Sequence, residues 1–180
     1  MKSLNAKRCT LNAQKGFTLI ESIIYIAIIG AVLAAFVNFI LAVSASRNKS
    51  YAEQEVNANM RTALSVISHK IKSASGVNLG ASTFGTNSGV LSLAMVSTTF
   101  NPTIISVATG TLRLQITEGA GAVQYLTSER VRVTNLMFTN LTGSSTQSNI
   151  GIDFTISYAS SSDANFNFTK SWQTSVSTRR

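Results

Sequence analysis

With 180 residues, the chain has room for one domain of ordinary size plus a membrane segment, and not for several domains. Its formal net charge of +8 invites a nucleic-acid reading, but Lys2, Lys7, Arg8 and Lys15 crowd the first fifteen positions with no acid among them. From Gly76 onward Arg113, Arg130, Arg132, Lys170, Arg179 and Arg180 face Glu118, Glu129, Asp153 and Asp163, so the clustered footprint that phosphate-backbone binding needs is missing. The only cysteine, Cys9, also lies in that basic N-terminal stretch. A lone thiol forms no intrachain disulfide and lacks the companion ligands of a metal site, so packing and hydrogen bonds must hold the rest together.

Lys15-Gly16-Phe17-Thr18-Leu19-Ile20-Glu21 opens an apolar run whose only charge, Glu21, sits at its start. A charge placed in hydrocarbon costs about 2.5–3.5 kcal/mol even on the lenient insertion scale, so Glu21 calls for a partner. A cut between Gly16 and Phe17 frees an amine one helical turn from that carboxylate. This string, followed by an apolar helix, resembles the class III signal of type IV prepilins and pseudopilins. The resemblance implies that a membrane aspartyl prepilin peptidase cuts after Gly16 and N-methylates Phe17. It also implies that Glu21, at the fifth mature position, neutralises the N-terminus of a neighbouring subunit during filament assembly. Residues 1–16 are then a cleaved leader, and Cys9 leaves with it.

From Ser22 to Ser46 no residue is charged, and Ile, Ala, Val, Leu and Phe dominate. About 20 such residues cross a bilayer core as a helix. A secretory signal has an apolar region of roughly 7–15 residues and a small-residue cleavage site behind it, which does not fit this run. Four bases before the span against Arg47 and Lys49 after it place the N-terminus in the cytoplasm. Gly30 and Asn38 interrupt the run, either simply tolerated or marking close helix packing and local unwinding. Many major pilins carry a proline part-way along this helix; here the only proline is Pro102.

Beyond the span, Val56, Met60, Leu64, Ile67, Ile71 and Ala74 recur every three or four residues, with Ala63 beside them. This is the stripe of an amphipathic helix, and three heptads are too few to favour a coiled coil. Ser75-Gly76 offers a C-terminal stop, with Lys70 and Lys72 suited to the negative helix end. The reading is one helix from about Phe17 to about Ser73, lipid-facing over 17–46 and packed on one side over 47–75.

After Gly76 the period changes to two. Strands are expected near Val90–Val96 and Ile104–Val107. Leu112, Leu114 and Ile116 alternate with polar residues, then Glu118-Gly119-Ala120-Gly121 turns the chain toward Val123 and Tyr125. Val131 and Val133 differ in parity from Leu136 and Phe138, so a bulge near Thr134-Asn135 or a strand break is required. Ile150, Ile152, Phe154, Ile156 and Tyr158 give the cleanest alternation, and Phe166, Phe168, Trp172 and Val176 share a parity in a last strand. Asn78–Gly89 and Gly143–Asn149 read as loops and Ala159–Asp163 as a polar turn. The fold class is therefore α+β and type IV pilin-like: a long helix packed on an antiparallel β domain over residues 76–180.

No catalytic, cofactor-binding or metal-binding residues are expected. His69 has no second histidine, there is no phosphate-binding glycine loop, and the carboxylates are scattered. The sequons at Asn48, Asn140 and Asn167 are what a hydroxyl-rich chain produces by chance. Three functions follow. The favoured one is a structural subunit, a minor pilin or pseudopilin of a type IV pilus or type II secretion-like filament; the segment from Glu55 through Ile71 and the β-rich end at Arg179-Arg180 resemble J-type or W-type minor subunits. Its implied partners are other pilin-like subunits through their N-terminal helices, prepilin peptidase, an inner-membrane assembly platform, and lipid before assembly. Its implied location is the inner membrane, then an extracytoplasmic or cell-surface filament. The rivals are a DNA-uptake pilus component that contacts DNA and a single-pass anchored extracytoplasmic domain.

Overall fold

The computed structural model describes residues 16–144, 146–159 and 167–179. Residues 1–15 of the expected leader, with Cys9, lie outside the described residues, as do Asp163, Phe166, Arg180 and most of the polar turn expected at Ala159–Asp163. The chain divides into two units, Met1–Val43 and Ser44–Arg180, and one helix, α1 (Leu19–Ser73), contributes to both.

In the first unit α1 is uninterrupted at Gly30 and Asn38. The Asn38 side-chain amide donates to the Ala34 carbonyl one turn back (3.0 Å), which satisfies a polar group locally without breaking the helix. No side chain of its apolar stretch is buried; Ile26 is 70% and Phe36 60% exposed. By length and composition this helix can cross a membrane.

In the second unit α1 buries Ala52, Val56, Met60, Ala63, Ile67 and Ile71. The stripe thus starts earlier than its apolar lettering suggests and runs through Ala63, with Leu64 half-buried on its flank. Ala52 and Ala63 are fully buried on this stripe, while Leu64 sits at its edge.

The strands are β1 (Ala74–Val77), β2 (Leu91–Met95), β3 (Thr103–Val107), β4 (Leu114–Glu118), β5 (Gln124–Tyr125), β6 (Val131–Asn140), β7 (Asn149–Tyr158) and β8 (Thr169–Ser177). They form two antiparallel sheets, β1-β2-β3-β4-β5 and β6-β7-β8. Both contribute to one hydrophobic core on the helix, in which Phe138, Phe154, Met60, Ile67 and Leu136 are fully or almost fully buried. The sheets are stitched together where the Val133 amide donates to the Leu112 carbonyl (2.7 Å).

The strand pattern expected after Gly76 is largely present, with four differences. Helix and sheet meet without the stop expected at Ser75-Gly76: α1 ends at Ser73 and Ala74 already belongs to β1, which pairs with β2 and bulges between Ala74 and Gly76. The freed carbonyls at the helix end are met by the Ser73 hydroxyl on Lys70 O (3.1 Å) and the Arg179 amide on Lys72 O (3.2 Å). Leu112 does not share the buried face of Leu114 and Ile116. It is 40% exposed at φ 54°, inside a loop closed by Ala108 N–H to Arg113 O (2.8 Å). Val123 and Tyr125 are also exposed, at 49% and 47%: β5 is a two-residue strand at the sheet edge, and Val123 lies just ahead of it. Trp172 has the parity expected of it but remains 49% exposed.

The parity conflict in β6 is resolved by a bulge. Its register against β7 shifts between Val133 and Asn135, so Val131, Val133, Leu136 and Phe138 are all buried on one face. Ile150, Ile152, Phe154 and Ile156 of β7 are buried opposite them.

Candidate processing and assembly site

Among the described residues of the first unit, Gly16, Phe17 and Thr18 stand ahead of the helix, all exposed. The helix begins two positions later than Phe17 because Thr18 caps it. The Glu21 amide donates to Thr18 Oγ1 (3.3 Å), and the Ser22 amide donates to the Thr18 carbonyl (3.2 Å). A threonine three residues before a glutamate is the spacing of a capping box, and Thr18 supplies its forward half.

The Glu21 carboxylate points onward along the helix, where it accepts from the Tyr25 hydroxyl (3.3 Å). The Tyr25 ring also meets the Phe17 ring edge-on, with centroids 6.1 Å apart and planes at 73°. Tyr25 therefore bridges the two residues singled out in the sequence. Sequence reasoning passed over it, although its spacing of four from Glu21 puts both on one helix face. A carboxylate in the first turn also lies at the positive end of the helix macrodipole.

Chemically, the carboxylate is half-exposed, accepts from the Tyr25 hydroxyl and keeps further acceptor capacity. Around it the helix surface is apolar: Ile20, Ile23 and Ile24 are each more than half exposed. Such an arrangement attracts a cation on another molecule once water is withdrawn, because an unpaired carboxylate in an apolar medium is costly. Gly16 has open space where a Cβ would sit, so the described fold places no steric demand for glycine at that position.

In the second unit several ionisable side chains make local contacts. Lys70 forms an ion pair with Glu118 and lies 5.8 Å from the Phe100 ring centre. Arg113 pairs with Glu129 (3.3 Å) and sits 4.1 Å over the Tyr125 ring. Arg130 donates to the Tyr51 hydroxyl, and Asp153 accepts from Gln173 (2.9 Å) and Asn135 (3.4 Å). His69 is exposed on α1. Among the described residues no group of three or more His, Cys, Asp or Glu is placed to hold a metal ion.

Residues 11–37 match the family model of the prokaryotic N-terminal methylation motif, a signal typical of type IV pilins and pseudopilins. The chain thus carries a prepilin-type signal at the head of a long N-terminal helix, with antiparallel sheets on the α+β plan expected of a pilin-like fold. The match supports a type IV pilin-like signal of the kind prepilin peptidase processes, and the proteins in which that signal is typical are structural subunits. In proteins with this signal an apolar N-terminal helix serves membrane anchoring and then assembly with other pilin subunits. No curated protein and no solved structure matches the chain.

Proposed function

We propose that the protein is a structural subunit, a minor pilin or pseudopilin, of a type IV pilus or type II secretion-like filament. In this reading residues 1–16 are removed, the Phe17 amine is methylated, and residues 17–46 hold the precursor in the inner membrane with the N-terminus cytoplasmic. Residues 47–75 and 76–180 form the extracytoplasmic part. An inner-membrane platform then lifts the subunit out, and its helix exchanges lipid for the helices of neighbours.

The observation that carries this reading is the position of Glu21. It is the sole charge at the head of an exposed apolar helix, in the first turn and one turn beyond Phe17. Inside a bundle of such helices its carboxylate needs a cation, and the new terminus of an adjacent subunit is a cation at the right height. The open space at Gly16 supports a glycine required by the processing enzyme and not by the fold. The DNA-contacting alternative has less support, because Lys70, Arg113 and Arg130 are engaged within the domain.

Intact-mass measurement and N-terminal sequencing of protein recovered from the native cell test the proposal. A chain beginning at N-methylated Phe17, found in sheared filaments at a small fraction of the main subunit, is the expected result. A chain still beginning at Met1 and confined to the membrane would refute it.

A further inference from the structure

Sheet β6-β7-β8 stops one strand short of covering its side of the helix. On β7, Ile152, Phe154 and Ile156 are buried to 2% exposure or less. Their partners across β8 are Thr174, Trp172 and Lys170, which point to the same face and are half-buried or exposed. Beyond them lies a groove of about 390 Å³ between β8 and α1, lined by Met60, Arg61, Leu64, Lys170, Trp172 and Thr174 among others. An apolar floor is thus left open where the next strand of the sheet would lie.

Among the described residues no strand covers the edge beside that floor. Among the described residues β8 is the last strand of its sheet, so the backbone groups that alternate away from β7 have no strand partner. Proteins usually blunt such edges with proline, bulges, short length or several charges. In contrast, β8 runs nine residues with no proline, pairs with β7 without a register shift, and carries one charge, Lys170. The groove is also one-signed. Arg61 and Lys170 line it, no acid does, and Lys170 is held toward the helix by the Asn57 amide oxygen (2.6 Å).

We propose that β8 accepts an extended acidic and apolar segment of another protein as a fourth, added strand. Main-chain hydrogen bonds to the β8 edge supply register. Alternate side chains drop into the groove, an apolar one against Leu64 and Trp172 and an acidic one against Arg61 and Lys170. A peptide fits better than a single-stranded nucleic acid. Stacking on Trp172 would use the cations but leave the β8 edge unpaired. The groove shares no residue with the Phe17–Glu21 site, so the inference stands or falls independently of filament assembly.

Trp172 is the chain's only tryptophan, so its emission reports directly on the groove. The probe is a synthetic ten-residue peptide with Leu and Glu alternating on one face and Thr on the other, titrated into the full chain in detergent micelles. A saturable blue shift of Trp172 emission is expected, with affinity falling about tenfold in Arg61→Glu. Arg61 is exposed, so this variant should retain the wild-type unfolding midpoint. N-methylating the peptide backbone on one alternating set should abolish binding while methylating the other set is tolerated. The proposal is overturned if the peptide gives no shift, or if both methylated forms bind alike. It is equally overturned if a dT oligonucleotide and not the peptide perturbs Trp172, or if the shift follows protein concentration alone, which would assign the edge to a second copy.

Discussion

The backbone amide of Ser128 donates to Oδ1 of Asn59 at 2.7 Å, joining the middle of α1 to the segment that enters β6, 69 residues away. The other half of the Asn59 amide donates to the Glu55 carbonyl (2.9 Å) and carboxylate (3.1 Å). The Ser128 hydroxyl donates to that same carboxylate at 2.8 Å. Three side chains thus form a closed polar clasp beside the hydrophobic stripe, in which the helix meets a loop by hydrogen bonds and not by apolar contact.

Asn59→Ala leaves the Ser128 amide without its acceptor in a partly buried place. Unfolding stability should fall by about 1–3 kcal/mol, read as a lower denaturant midpoint, because an orphaned buried donor loses its water as well as its partner. Asn59→Asp keeps the acceptor for Ser128 but sets a second carboxylate against Glu55, so it should rescue little.

At the N-terminal site, Glu21→Ala should insert into the membrane and be cut after Gly16 as the wild type is, yet fail to enter filaments. Glu21→Gln sharpens the test, since an amide oxygen still accepts from Tyr25 but carries no charge. Immunoblots of sheared filaments and of membranes give both quantities. Incorporation of Glu21→Gln at wild-type levels would show that charge pairing is not what Glu21 provides.

Gly119→Ala should disturb the end of sheet β1–β5. Gly119 adopts φ 54° in the turn after β4, with its amide bonded to the Pro102 carbonyl (2.9 Å). A Cβ there would collide with the Thr99 carbonyl oxygen, which is backbone and does not yield as a side chain would. A loss of about 1–3 kcal/mol is expected from the strained conformation, with added cost for moving the Thr98–Phe100 turn. Hydrogen exchange at β3 and β4 should rise more than at β7.

Phe154→Ala removes a fully buried ring at the centre of the three-stranded sheet, flanked by Leu136 on β6 and Trp172 on β8. The expected cost is about 3–5 kcal/mol, measured by denaturant unfolding. Trp172→Ala, at a half-exposed position one strand further out, should cost distinctly less. Equal losses would mean that the groove beside β8 is closed in the folded protein.

Much of this architecture could be read along the chain itself. The seven-residue signal, the uncharged run behind it and the stop of α1 within a residue or two of Ser73 follow from charge placement and apolar spacing, which act between near neighbours. The alternation of β7 and the bulge in β6 are legible for the same reason. Side-chain parity is a local property of an extended backbone, and Val133 and Leu136 cannot share a face without an extra residue between them.

What the chain's local pattern did not contain is which apolar residues would find a cover. Leu112, Val123, Tyr125 and Trp172 carry suitable lettering, yet each is at least 40% exposed. Loop closure turns Leu112 outward, Tyr125 and Trp172 lie on edge strands, and Val123 lies just ahead of one. Tertiary structure also divided the β domain into two sheets, and buried Ala63 fully while leaving Leu64 half-buried. Burial at these positions depends on partners tens of residues away, and periodicity records only the preference of a side chain for a face, not whether anything lies across it.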